Sequence, residues 1–304
     1  MWTFSKDNIN NTGDGNKQDI RKDGVLLKST STTSTFTGNN TSFTAGTLDG
    51  SVAEIVYVID SSITALTENR IESYLALKYG TTLGNNSAPD NYTASDSTTI
   101  FWNKDVKYQN DVFGIGTDSA SGLVQIQSNS VNSGSGDGTG QSAKGNLVVS
   151  TSNELLDKRF LMIGNDAGSL TQHIIANGEA NIIAVGSTRI IRNWKVANTG
   201  SVGPVSLSFD TTGLGNQAGG AVVNKYTLMI SNSGDDTYTA PSTFFTATGA
   251  AGNKIFFSGV TLNNGAVFTI ITNIFNVALP AVWLSFTAEA VNGNGVLNWK
   301  TGDE

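Results

Sequence analysis

His173, in Leu170-Thr-Gln-His-Ile-Ile-Ala-Asn-Gly-Glu179, is the only histidine of the chain, and histidine is the side chain best suited to moving protons near neutral pH. A hydrolytic triad would need a nucleophile beside it, yet no G-x-S-x-G elbow is present. No second metal-ligand residue stands at helix spacing from it either. His173 therefore reads as a strand or loop residue. Two carboxylates a few ångströms apart would suffice for glycoside hydrolysis. Most of the 25 acids, however, sit in turn motifs such as Gly13-Asp14-Gly15, Gly136-Asp137-Gly138 and Gly234-Asp235-Asp236. A turn role explains them without catalysis, so no residue is assigned a catalytic part and the chain reads as a non-enzyme. Gly134 to Gly140 (GSGDGTG) has the glycines of a phosphate loop but neither the following Lys-Ser/Thr nor a helix to aim amides at phosphate, which leaves a hairpin tip. Calcium needs only carboxylates and carbonyls. Ser231-Asn-Ser-Gly-Asp-Asp236 is the best candidate for it, with Asp235 and Asp236 as the metal-binding acids and Ser231 and Ser233 adding only neutral oxygens. That ion is the one cofactor for which the sequence offers a site.

The elements that must position such residues are strands. Glycine numbers 34 and proline 4 in 304 residues, charged residues are 14 %, and Asn, Ser and Thr fill much of the rest. Short strands joined by Gly/Asn/Ser/Asp turns require that mixture. Strands are predicted near Asp23–Lys28, Thr98–Trp102, Val112–Gly116, Val124–Ser128, Gly145–Ser150, Phe160–Ile163, Ile182–Val185, Ile190–Ala197, Val205–Phe209, Lys225–Ile230, Phe244–Ala247, Lys254–Val260 and Val267–Thr272. Alternation is clearest in Val205-Ser-Leu-Ser-Phe209, whose apolar residues would face a core. Val52 to Val58 is nearly all apolar, as suits a strand covered on both faces. Trp194, in NWKV, reads as a core anchor.

One helix is predicted, Thr67 to Tyr79. Thr67 serves as N-cap, Glu68 and Lys78 complement the dipole, and Gly80 supplies the left-handed C′ residue. Ile71, Tyr74 and Leu75 form its apolar stripe, so Ile71 and Leu75 are expected to be buried. The apolar stretch Ala266 to Leu284 approaches the length of a membrane span. Asn273, Asn276, Pro280 and dense β-branching make it instead a last core strand followed by a linker.

The net charge of −7 and sparse Lys/Arg argue against nucleic acid as a partner. The absence of cysteine excludes disulfides and thiolate metal sites. Met1 to Lys6 has no apolar region of the signal-peptide kind.

Leu48 to Leu83 (LDGSVAEIVYVIDSSITALTENRIESYLALKYGTTL) resembles the final strand and trailing helix of a laminin-G/concanavalin-like lectin sandwich from large secreted surface proteins of type IX-secreting Bacteroidota. Ser95–Asn103, Asn110–Asn132, Arg159–Leu170 and Thr188–Asp210 resemble the β-rich domain of unknown function that follows it in such proteins. Ala278 to Phe286 (ALPAVWLSF) is similar to the passage leading into a fibronectin-like module, with Ala281 and Trp283 departing from that pattern. The resemblance implies an all-β chain of tandem antiparallel sandwiches, jelly-roll then Ig-like, linked by the helix. Residues 1–80 would be the later part of the lectin-like sandwich, 81–275 the second sandwich, and 276–304 a linker and the start of a further module. It also implies an extracellular or cell-surface location and a chain cut from a longer precursor. The expected function is a non-catalytic adhesive or structural module, part of a fibre or surface array, partnered by neighbouring domains of the precursor or by other copies. The alternative is a carbohydrate-binding module for extracellular glycans, for which Trp2, Trp102, Tyr108 and Tyr238 are the available aromatics.

Overall fold

In the computed structural model, residues 1–6, 16–32, 51–58, 63–85, 87–130, 145–175, 187–212, 214, 223–239, 242–273, 283–291 and 294–301 are described. The sequence expectations at Gly13–Gly15, Gly134–Gly140 and Ile182–Val185, and on the stretch 274–282, lie outside the described residues.

The fold is all-β, its strands paired antiparallel, with one α-helix among the described residues. Strands β1 (Trp2–Lys6), β2 (Asn16–Lys22) and β3 (Val25–Thr32) make a small sheet. Its β2–β3 hairpin turns on Asp23-Gly24, both at positive φ (51° and 79°), the geometry an Asp-Gly pair supplies in two-residue hairpins. Helix α1 (Ala65–Tyr79) follows. Its N-cap is Thr64, whose Oγ1 accepts the Thr67 amide at 3.1 Å, so the helix starts two residues earlier than predicted. Gly80 caps the other end at φ 64°, as expected.

Two short ladders come next, β4 (Gly84–Asn85) with β5 (Ala88–Pro89) and β6 (Tyr92–Thr93) with β7 (Ile100–Trp102). The sandwich itself is built from β8 (Asn110–Asp118), β9 (Leu123–Gln125), β10 (Gln127–Asn129), β11 (Leu147–Ser150), β12 (Arg159–Asn165), β13 (Gln172–Ile174), β14 (Thr188–Ile190), β15 (Trp194–Thr199), β16 (Val205–Asp210), β17 (Thr227–Ser231), β18 (Thr243–Thr246), β19 (Gly249–Ala251), β20 (Lys254–Val260) and β21 (Val267–Asn273). One sheet has nine strands, in the order β13-β14-β21-β15-β12-β8-β9, with β17 also paired to β21 and β18 to β17. The other runs β10-β11-β16-β20-β19. A last hairpin joins β22 (Trp283–Val291) and β23 (Asn294–Thr301).

The larger sheet is buried on both faces. Along β12, Leu161 and Ile163 point into the core between the two sheets, where Trp194, Leu207, Phe209 and Phe257 gather. Phe160 and Met162 point the other way, into a second core shared with Ala76 and Leu77 of α1 and with Tyr92, Phe101 and Trp102. The helix thus connects the N-terminal sheet to the sandwich and packs on β6, β8 and β9. Its buried face is Glu72, Ser73, Ala76 and Leu77, whereas Ile71 and Leu75 are only half-buried. Small Ser73 and Ala76 let the helix sit close, and the Thr93 amide donates to Ser73 Oγ at 2.9 Å.

The stretch Ile190–Ala197 is two strands, not one. β14 and β15 lie end to end along β21 and are broken at Ile191–Asn193. There the Thr269 hydroxyl donates to the carbonyls of Ile190 and Arg192 at 3.1 and 2.8 Å, replacing ladder bonds that the bend removes. β21, the strand expected from the long apolar stretch, is central and buried. Among the described residues no helix is long and apolar enough to cross a membrane.

Candidate functional site

The residues singled out for chemistry are mostly engaged in structure. Asp235 folds back on its own turn, accepting from the amides of Thr237 and Thr239 at 2.9 and 2.8 Å and from their hydroxyls at 2.6 and 2.7 Å. The hydroxyl bonds from Thr237 and Thr239, aided by the amides, hold its carboxyl well below the usual range. Asp236 turns away to pair with Lys107 and accept from the Tyr108 hydroxyl at 2.9 Å. Burial pushes its carboxyl up, but those two partners outweigh burial and leave it low. The two acids therefore face different groups. Among the described residues, no three His, Asp or Glu side chains gather into a metal-binding group. His173 is exposed on β13, opposite Arg189 in the ladder.

Of the four aromatics considered for glycans, three are packed. Trp102 is 2 % exposed and donates to Gln109 Oε1 at 3.0 Å, Tyr108 is buried between loops, and Tyr238 donates to Asn193 Oδ1 at 3.0 Å. Trp2 is different. It is 58 % exposed on β1, and Phe4, two residues on, is 72 % exposed.

The pair belongs to a sheet whose polarity is reversed. Alternation along β1 and β2 sends Thr3, Asp19 and Arg21 toward α1, where the Thr3 hydroxyl donates to Glu72 Oε1 at 2.6 Å and Arg21 Nε lies 3.1 Å from Glu68 Oε1. Trp2, Phe4 and Ile20 go outward, in register as Trp2↔Lys22 and Phe4↔Ile20. The Trp2 and Phe4 rings are near-parallel at 6.4 Å, and Lys22 Nζ stands 5.9 Å from the Trp2 ring. A single solvated sheet ordinarily does the opposite, burying its apolar face. The run Val52–Val58, expected as a doubly covered strand, takes part in no strand ladder. Val52, Ile55, Val56, Tyr57 and Val58 are exposed. Glu54 ties this run to α1, accepting from Lys78 Nζ and Tyr79 Oη, each at 2.8 Å.

Beneath the sheet lies a cavity of about 380 Å³ between α1, β2 and the 90–100 loop. Arg21, Glu68, Asn69, Glu72 and Asp90 form its polar wall, and the exposed side chains of Leu66 and Ile100 its apolar rim. Asn69 Nδ2 donates to the Asn91 carbonyl at 2.9 Å, and Arg70 donates to the Ser95 carbonyl and Ser97 Oγ, each at 2.8 Å, which fixes the loop. No local motif announces this site, because its residues come from three separate segments.

Burial pushes the Glu68 and Glu72 carboxyls above 4.5, and Arg21 only partly offsets this. Thr3 on β1, Arg21 on β2, Glu68 on α1 and Asp90 all act on Glu72, and Asp19 on β2 acts on Glu68. For an acid raised on folding, the stabilisation of its neutral form is complete below pH 4.5 and is lost as pH rises through the folded value. Glu72→Gln keeps an acceptor for Thr3 and removes that loss. Thermal melts from pH 4 to 8 are expected to show the variant gaining on the native protein as pH rises. A constant difference would refute this.

Residues 67–266 match the family model of a domain of unknown function, DUF8202. The matched span begins within α1 and reaches the edge of β21, and the chain belongs to this family. No curated protein and no solved structure matches the chain.

Proposed function

We propose that this DUF8202 chain is a non-catalytic adhesive or structural module of a larger secreted or cell-surface protein, exported and held in place by strand-rich contacts. The observation that carries the reading is the reversed sheet: Trp2, Phe4 and Ile20 turn outward above a polar contact with α1, in a chain that also exposes the apolar run Val52–Val58. An outward apolar face on a three-stranded sheet is what one layer of a sandwich presents to its opposing layer. The covering layer would come from a neighbouring domain of the same precursor or from another copy of the chain.

Light scattering of the recombinant 304-residue protein tests this. Association that rises with concentration, and falls in the Trp2→Ser/Phe4→Ser double variant without a change in melting temperature, is the expected result. A monomer at every concentration that also fails to bind an apolar dye would sink the proposal.

A second reading, a carbohydrate-binding module, is favoured by the Trp2–Phe4 pair itself. Exposed aromatic rings with a cation beside them can stack on sugar faces and bond hydroxyls. A glycan array probed with the native protein and the same double variant separates the readings, since only the second expects array signal that the variant loses.

A further inference from the structure

We propose that the cavity beside α1 binds an alkylammonium group, the chemistry of a lysine side chain, with its methylene stem on Leu66 and Ile100 and its head against Glu72.

The shape comes first. The cavity has room for a small ligand and combines an apolar rim with a few convergent polar groups, the usual anatomy of a binding site. Charge narrows the ligand. Glu68, Glu72 and Asp90 line the wall, and Arg21 is the one cation among the lining residues. Arg21 is also shared: Asp19 lies 3.3 Å from its Nη2, and Glu68 reaches only its Nε. Glu72 is 4 % exposed and lines the cavity, yet only one of its oxygens, Oε1, receives a hydrogen bond among the described residues. Asn69 Oδ1, in the same wall, is buried without a partner. Arg21 Nε and Glu68 Oε1 face each other without forming a hydrogen bond, so three acids share one cation in this wall. A buried carboxylate is costly unless paired, and an ammonium group supplies positive charge with three N–H bonds and no acceptor.

The rim favours a ligand with an aliphatic stem. Leu66 is 46 % and Ile100 39 % exposed at the mouth, and an aliphatic chain covering them leaves water while its charged head reaches the acids, the division of labour long cationic side chains adopt. The inference does not depend on what covers the Trp2–Phe4 face, which lies on the opposite side of the sheet.

Two-dimensional amide NMR of the whole chain tests it, with Nα-acetyl-lysine methylamide as probe, pentylammonium as the free amine, and Nα-acetyl-norleucine methylamide and glucose as neutral comparators. Saturable shifts confined to Leu66–Glu72 and Asp90–Asn91 are expected with the two cations, weakening as salt is raised. The tighter of the two tells a lysine within a polypeptide from a free amine. Glu72→Gln, shown folded by its melting curve, is expected to weaken binding at least about tenfold, the effect of roughly 1.4 kcal/mol. Glu68→Gln is the second variant, expected to weaken it less because Arg21 already faces that carboxylate. Equal shifts from norleucine or glucose, no shift at millimolar lysine amide, or unchanged binding in a folded Glu72→Gln protein would overturn the proposal.

Discussion

Trp194→Ala is expected to lower the free energy of unfolding by about 3–5 kcal/mol, enough to leave the chain marginal at body temperature. Trp194 stands on β15 of the larger sheet, 2 % exposed, stacked on Phe268 of β21 at 5.5 Å and edge-on to Phe209 of β16 at 5.9 Å. Phe209 belongs to the opposing sheet, so one indole bridges both layers, and truncation opens a cavity that the sheets, each pinned by its own ladder, cannot close. Urea denaturation followed by fluorescence of the other tryptophans measures it. Phe268→Leu, which keeps most of the volume, should cost markedly less. A loss under about 1 kcal/mol for Trp194→Ala would mean that the sheets slide together and that the anchor is elsewhere.

That anchor was legible in the sequence, and it shows where sequence reading works in this chain. Val205, Leu207 and Phe209 are buried and Ser206 and Ser208 are half-buried, so the period of two reports the pleat directly. The run Phe160–Ile163 was equally readable, its continuous apolar character reflecting a sheet covered on both sides. β2, by contrast, reads Asn-Lys-Gln-Asp-Ile-Arg-Lys and carries one apolar residue in seven. It is a strand because the Asp23-Gly24 turn sets its register against β3 and because α1 accepts its polar face, and neither cause is visible in the segment itself.

The helix was legible in extent but not in its buried face. Apolar spacing selected Ile71 and Leu75, but α1 lies between the sandwich on one side and the polar face of β1–β2 on the other, so its most buried side chains include Glu72 and Ser73. Hydrophobic pattern predicts the buried face only where the opposing surface is apolar. The same polar contact creates the cavity, and its residues come from β2, α1 and the 90–100 loop. The candidate site therefore had no sequence signature. Asp235 and Asp236 had one, and in the structure they bond Thr237, Thr239, Lys107 and Tyr108.

Gly80→Ala should be the second severe substitution, and a matched control can separate its two causes. Gly80 ends α1 at φ 64°, ψ 27°, and its amide returns to the Ala76 carbonyl. A side chain at that φ costs about 1–2 kcal/mol by itself. Gly122, at φ 70°, bears the same conformational demand, yet an added Cβ there meets nothing within 4 Å. At Gly80 the added Cβ would lie 2.2 Å from the carbonyl oxygen of Asn129, the last residue of β10. Backbone cannot rotate away as a side chain can, so either the helix end or the edge of the five-stranded sheet must shift, and overpacking of this kind costs about 1–3 kcal/mol more. Gly122→Ala is therefore expected to lose only the conformational part, and Gly80→Ala both parts, in parallel denaturation curves of unchanged slope. Equal losses would mean that β10 yields freely and that the helix is not held against the sandwich at its C-terminal end. A larger loss at Gly80, with amides of β10 and α1 exchanging faster together, would establish the cap as the point where helix and sandwich are fastened.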